Sequence, residues 1–253
     1  MLEQTQRAID DILEGCATEY EQYHRYLTRT CWRVEGDFQF LQEVLPKAER
    51  ILDVGAVPPM LLGLMAQQGM GKDLAVMDPH VERFSAFFER HQITASKVDL
   101  LQGTDLEQTE QCDLVCLCEV LEHLPGDIVH TLNQVSRWVA PGGHLYLTTP
   151  NLRSVSGAVG LFCRGSGLAS KQKEPIRNQF ARAQGGYGYF GHIREYTEKE
   201  VRNLVEGMGY EHVASRFQVH PRAETLEARI IQILESMLPS FRLFGKYLFK
   251  KKG

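Results

Sequence analysis

What most narrows the folds open to this chain is an alternation between residues 51 and 151, where short apolar runs (ILDVGA, LAVMDP, VDLLQG, CDLVCLCE and GGHLYLTTP) are separated by stretches of helical spacing. The runs have the length of strands and read as strands of a parallel sheet covered on both faces. Strand, helix and strand in repetition build a doubly wound α/β sheet. With 253 residues, 43% of them apolar, the chain can close one full core around such a sheet, which excludes a disordered or fibrous protein.

The flanks complete the plan. Residues 1–50 carry ten acids against six bases and read as two or three helices, an N-terminal helical cover. Residues 51–221 form the expected core. Within it, residues 153–190 hold Arg153, Arg164, Lys171, Lys173, Arg177 and Arg182 against the single acid Glu174, with many glycines and little apolar periodicity. This reads as a basic, mobile insertion on the acceptor side. TEKEVRNLVEGMG reads as a helix capped by Thr197, followed by a strand around residues 212–219. Residues 222–253 contain the amphipathic helix AETLEARIIQILESML and end in FGKYLFKKKG. That ending is either a last edge strand guarded by its lysines or a basic tail in peripheral contact with a membrane. The expected fold is therefore α/β, Rossmann-like and doubly wound, with a mostly parallel seven-stranded sheet and helices on both faces.

Charge and cysteines bound the partners. Twenty-eight Lys+Arg against 32 Asp+Glu leave a net charge of −4, without the basic excess of a dedicated nucleic-acid binder, so an anionic partner must be met by a local patch. Six cysteines form no CxxC pair, and Cys112, Cys116 and Cys118 crowd one apolar run, a usage that suits a reducing cytosol. Acids in MLEQTQRAIDD oppose a signal peptide, and no run reaches the roughly 18 apolar residues of a membrane span. A cytoplasmic protein is the expectation.

Chemistry is concentrated at strand ends. ILDVG puts Asp53 and Gly55 at the mouth of the first strand, where an open α/β sheet takes a nucleotide-like ligand. Twenty-five residues on, Asp78 ends the second strand, and a carboxylate there can accept from both hydroxyls of a ribose. Taken singly, either acid serves as well for a helix cap or a loop charge; together at this spacing they favour the ligand. Glu119, Glu122 and His123 stand at i, i+3 and i+4 on an expected helix after the fourth strand, so two carboxylates and an imidazole share a face. With His192 of GHIREYT they offer ligands to Mg2+ or another divalent cation. Equally, the acids can be solvated or capping, with His123 packing or acting alone.

CDLVCLCEVLEHLPGD followed by WVAPGGHLYLTTPN resembles the fourth and fifth strands of class I S-adenosylmethionine-dependent methyltransferases, over roughly residues 45–220. The resemblance implies that Asp53 and Gly55 hold the methionine end of S-adenosyl-L-methionine, that Asp78 holds the ribose, that Asp105 lies near the adenine and that Glu119 lies beside the sulfonium. The E-x-x-E-H pattern with a later histidine is similar to metal-assisted O-methyltransferases of ubiquinone precursors and RNA ribose ends. One departure stands out: where the family commonly has D-x-G-x-G-x-G, this chain reads Asp53-Val54-Gly55-Ala56-Val57-Pro58-Pro59, without two of the glycines. That loop is the argument for a rival reading, a methyltransferase-like binding module without activity. A nicotinamide dehydrogenase fits less well, since GxGxxG is absent.

A sulfonium methyl is already activated, so such an enzyme has to align an acceptor oxygen and remove a proton. His123 or His192 suits a general base, and Glu119, Glu122, His123 and His192 suit a cation that lowers the hydroxyl's pKa. The expected acceptor is a small-molecule hydroxyl, such as a sugar or a phosphate-bearing, lipid-linked saccharide, because the insertion carries a charge of +5 and HIREYT after TPN resembles glycan methyltransferases. A quinone precursor or an RNA ribose is the alternative acceptor.

Overall fold

A computed structural model of the chain describes residues 3–15, 20–100, 110–169, 191–220 and 225–253. Its helices are α1 (Glu3–Leu13), α2 (Tyr20–Val44), α3 (Met60–Gln68), α4 (Ser85–Arg90), α5 (Ile128–Arg137), α6 (Val155–Arg164), α7 (Glu198–Glu206) and α8 (Leu226–Met237). The strands are β1 (Arg50–Val54), β2 (Asp73–Asp78), β3 (Thr94–Lys97), β4 (Cys112–Cys118), β5 (Val139–Pro150), β6 (Tyr210–Gln218) and β7 (Phe244–Lys251). Hydrogen bonds order them β3-β2-β1-β4-β5-β7-β6 in one sheet of seven. β1 pairs in parallel with β2 and with β4, β2 pairs in parallel with β3, and β7 runs antiparallel to both β5 and β6. The expected doubly wound sheet is thus present. By internal packing the chain divides into two compact units, Met1–Cys116 with Trp138–Gly143, and Leu117–Arg137 with His144–Gly253.

In the first unit, Ile51, Leu52, Val54, Val76, Leu114, Val115 and Cys116 are buried, which is why these strands read as unbroken apolar runs rather than alternating ones. The acidic N-terminal segment forms two helices that pack on α3. α1 turns Thr5, Ala8, Ile9, Ile12 and Leu13 inward at helical spacing. A Cβ at Gly63 of α3 would come within 2.8 Å of Ile12 Cδ1, so a larger residue there would make the end of that side chain move. One strand is displaced from its expected place. The third strand is TASK at Thr94–Lys97, not VDLLQG; Val98–Leu100 are not in a strand and the rest of that run lies outside the described residues.

In the second unit Leu145, Tyr146 and Leu147 of β5 and Tyr247, Leu248 and Phe249 of β7 form the buried centre. α7 starts with a capping box: Thr197 Oγ1 accepts from the Glu200 N–H while the Glu200 carboxylate accepts from the Thr197 N–H. FGKYLFKK is a strand, but not at an edge. β7 lies between β5 and β6, with Gly245–Phe249 buried, so the lysines do not guard an edge and the segment presents no apolar face to a membrane. The edge position falls to β6, where the register slips between His212 and Ala214 and leaves Val213 in a bulge. Residues 153–190, expected to be a basic, mobile insertion, begin with α6, where Ser154 caps VSGAVGLF by accepting the Gly157 N–H. Lys171, Lys173, Arg177 and Arg182 lie outside the described residues. No helix among the described residues is long and apolar enough to cross a membrane.

Candidate active site

In the first unit, β1 and β2 run side by side in register, Asp53 opposite Val76, and deliver Asp53 and Asp78 at their carboxyl ends. Asp53 is 3% exposed, and its Oδ1 has no hydrogen-bond partner among the described residues. Burial, and then the neighbouring carboxylates of Asp37 and Asp78, push its carboxyl up to about 8. Asp37 comes from α2 and is itself buried, an acid of the site that no sequence motif marks. Asp78 has its two oxygens on the backbone: Oδ2 accepts the Val57 N–H at 3.3 Å and Oδ1 the His80 N–H at 2.8 Å. These bonds favour its charged form, yet burial outweighs them and raises its pKa.

The loop between β1 and α3 keeps a glycine only where backbone geometry demands one. Gly55 has φ of 72°, in the left-handed region, with its N–H on the Met77 carbonyl at 2.7 Å. Val57 and Pro59 are not at positive φ, so the two missing family glycines impose no backbone strain. α3 opens at Met60 behind Pro59 with no side-chain cap on its first N–H groups. Asp105 lies outside the described residues.

The second unit assembles the other cluster, and differently from the helix expected. Residues 119–123 are not on an α-helix. Glu119 turns the chain at φ 56° and only Leu121–His123 coil, as a single 3-10 turn. The i, i+3, i+4 face therefore does not exist, and Glu119 is no member of the metal-type group. It is drawn back to β5 instead, its N–H on the Thr148 carbonyl at 2.9 Å and its Oε1 accepting from the Thr148 hydroxyl at 3.2 Å. The group that converges is Glu122, His123 and His192, with one ligand atom of each within 4.8 Å of the others.

Each member of the triad is oriented from behind. Glu122 is fully buried, and its Oε2 accepts from the Thr149 hydroxyl at 3.0 Å. Its Oε1 faces Nε2 of His123 at 3.9 Å and Nε2 of His192 at 4.0 Å, beyond hydrogen-bonding reach. His123 Nδ1 meets the Gly191 carbonyl at 2.9 Å, and His192 Nδ1 meets Glu195 Oε1 at 2.7 Å. Carbonyl and carboxylate both accept from an Nδ1–H, and each ring turns its Nε2 toward Glu122. The rings stand nearly perpendicular, at 88°, with centroids 4.9 Å apart. Glu195 is fully buried and its other oxygen accepts the Ala169 N–H at 2.5 Å. Outer partners on both histidines and a hydroxyl on the carboxylate are what a two-histidine, one-carboxylate cation site requires. Thr149 and Glu195 were not singled out in the sequence; the spacing His192-x-x-Glu195 is the signal that was there to read.

Comparison with known proteins bears on the family and the fold. The family described as a methyltransferase domain matches residues 23–215. The ubiquinone biosynthesis O-methyltransferase of Aliivibrio fischeri (strain MJ11) is 29% identical over 140 residues, 47% of this chain and 57% of that protein. The chain thus spans little more than half the length of the curated relatives it matches. Among solved structures, an S-adenosylmethionine-dependent methyltransferase from Clostridium acetobutylicum ATCC 824 aligns with a TM-score of 0.60 and 14% identity over 94% of this chain and 100% of that one. The N-methyltransferase NodS from Bradyrhizobium japonicum WM9, in complex with S-adenosyl-L-homocysteine, aligns with a TM-score of 0.53 and 15% identity over 99% and 100%. At such identities the two structures share a fold with this chain.

Proposed function

Because the chain belongs to the methyltransferase-domain family, we propose that it moves a methyl group from S-adenosylmethionine to a hydroxyl of a small molecule, with a divalent cation at Glu122, His123 and His192 gripping the acceptor. The residues of the first unit fit the cofactor. A buried carboxylate with an unused oxygen at Asp53 suits the ammonium of its methionine end. Gly55 supplies the left-handed turn beside it. Asp78 spends one lone pair of each oxygen on the backbone and keeps others for ribose hydroxyls. When bound, S-adenosylmethionine supplies a methyl group already activated on a sulfonium, which leaves the protein to align an acceptor oxygen and take its proton.

The observation that carries the acceptor side is the convergence of Glu122 Oε1 with two Nε2 atoms whose rings are fixed through Nδ1. A divalent cation held by Glu122, His123 and His192 would supply Lewis-acid chemistry, lowering the pKa of the hydroxyl to be methylated, and would favour an acceptor with two adjacent oxygens. Without it, the same Nε2 atoms are the proton acceptors. Adjacent oxygens occur in the vicinal diol of a sugar or lipid-linked saccharide and in the catechol ring of a quinone precursor. The bases of residues 153–190 support the first when it bears phosphate, and the likeness to ubiquinone biosynthesis O-methyltransferases supports the second.

Calorimetry with S-adenosylhomocysteine tests the first half, and no binding by the intact protein leaves only the inactive binding module. Methyl transfer to a catechol and to a phosphate-bearing saccharide, in chelator and after restoring magnesium or manganese, tests the second. Full activity in excess chelator removes the cation, and the acceptor that responds to the metal identifies the substrate class.

A further inference from the structure

α6 and α8 form an antiparallel pair fastened at both ends. At one end the Ser156 N–H and hydroxyl donate to Glu235 Oε1 at 3.3 and 3.2 Å; at the other Arg164 Nη1 lies 3.6 Å from Glu227 Oε1. The clamps give α8 an inverted polarity. Its carboxylate Glu235 is buried, whereas Leu226, Ile230, Ile233 and Met237, which recur at i, i+4, i+7 and i+11 along one side, are exposed. Leu161 and Phe162, at the end of α6 that meets the start of α8, are exposed as well. The extremes are Phe162 at 83%, Leu226 at 75% and Met237 at 72%. Single exposed apolar residues need no explanation, but a helix that hides its acid and shows its apolar stripe does.

We propose that this face of α6 and α8 docks on an anionic lipid surface. Charge selects that occupant. Of the two acids of α8, Glu235 is buried on Ser156 and the exposed Glu227 is paired with Arg164, while Arg229 of the same helix and Arg153, whose guanidinium lies over the Phe241 ring, are exposed. Among the described residues, Arg153, Arg164 and Arg229 of this region stand against Glu227 and the buried Glu235. Apolar side chains seated at the acyl boundary with cations above them at the headgroups are the pattern of a helix lying in the interface. The same surface is joined to the triad: Ala169, five residues beyond α6, donates to the carboxylate that orients His192.

The test is co-sedimentation of the intact chain with vesicles of phosphatidylcholine alone and of phosphatidylcholine with about one-third phosphatidylglycerol. The wild type should pellet with the second and be released by salt. A Phe162→Ser, Ile233→Ser, Met237→Ser variant should lose at least about tenfold in vesicle affinity, with S-adenosylhomocysteine affinity unchanged as the check that it folds. Pelleting equal for variant and wild type, or none with either vesicle, overturns the proposal. So does a wild-type dimer in sedimentation velocity that the variant dissolves and vesicles do not compete for, since a second copy then covers the face.

Discussion

Replacing Asp53 by asparagine should make the ligand-free protein more stable in alkaline solution while weakening its hold on the cofactor. The carboxyl is buried on β1 and pushed from 3.8 up to about 8, first by burial and then by Asp37 and Asp78. Some four units at about 1.4 kcal/mol each set a ceiling near 6 kcal/mol, and relaxation around a buried charge brings the expected cost of ionising Asp53 down to about 2–4 kcal/mol. The folded state holds the proton more tightly than the unfolded one. The corresponding stability is therefore complete below the unfolded value and is lost as pH climbs to about 8. An asparagine at this position has no proton to lose. Urea unfolding at about pH 5 and about pH 9 should show the variant gaining about 2–4 kcal/mol on the wild type between the two. In calorimetry, S-adenosylhomocysteine affinity of the wild type should rise over the same range, as the carboxylate forms to meet the ammonium, and that of the variant should stay low and flat. Parallel pH profiles of stability for the two proteins would refute the reasoning.

Glu195→Gln keeps the shape of the side chain but not its charge beneath His192 Nδ1; titration with manganese should find affinity about 10–100-fold lower, with S-adenosylhomocysteine binding untouched. Gly55→Ala forces a side chain into φ of 72°; chemical unfolding should register a loss of about 1–2 kcal/mol. Thr197→Ala breaks the capping box of α7, and the same measurement should show about 1 kcal/mol, with methyl transfer unaffected under folding conditions.

Much of the parallel half of the sheet could be read from the chain because burial on both faces writes itself as largely apolar runs: Ile51–Val54, broken only by Asp53, and Leu114–Leu117 announce β1 and β4. β3 could not be read this way. TASK is short and mostly exposed, so pattern favoured the more apolar run that follows it. The capping box at Thr197 was legible since its energetics are local. The site was legible in composition but not in membership. Glu119, Glu122 and His123 share a face only if an α-helix carries them, and the left-handed turn at Glu119, a conformation few residues other than glycine adopt, removes one carboxylate from the set. Partners brought from afar, Asp37 of α2 to Asp53 and Thr149 of β5 to Glu122, leave no spacing in the sequence to find.

The place of β7 has a consequence for biosynthesis. β5 and β6 are both made before the strand that joins them, since β7 is antiparallel to each and follows both in the chain. Until Phe244–Lys251 leave the ribosome, the Leu145–Leu147 edge of β5 has its backbone groups open and β6 has no partner in the sheet. A nascent chain stalled or cleaved in that interval displays an apolar strand edge, the template on which chains aggregate. Codon changes that slow translation just upstream of residue 244 should therefore lower soluble yield without altering a single side chain.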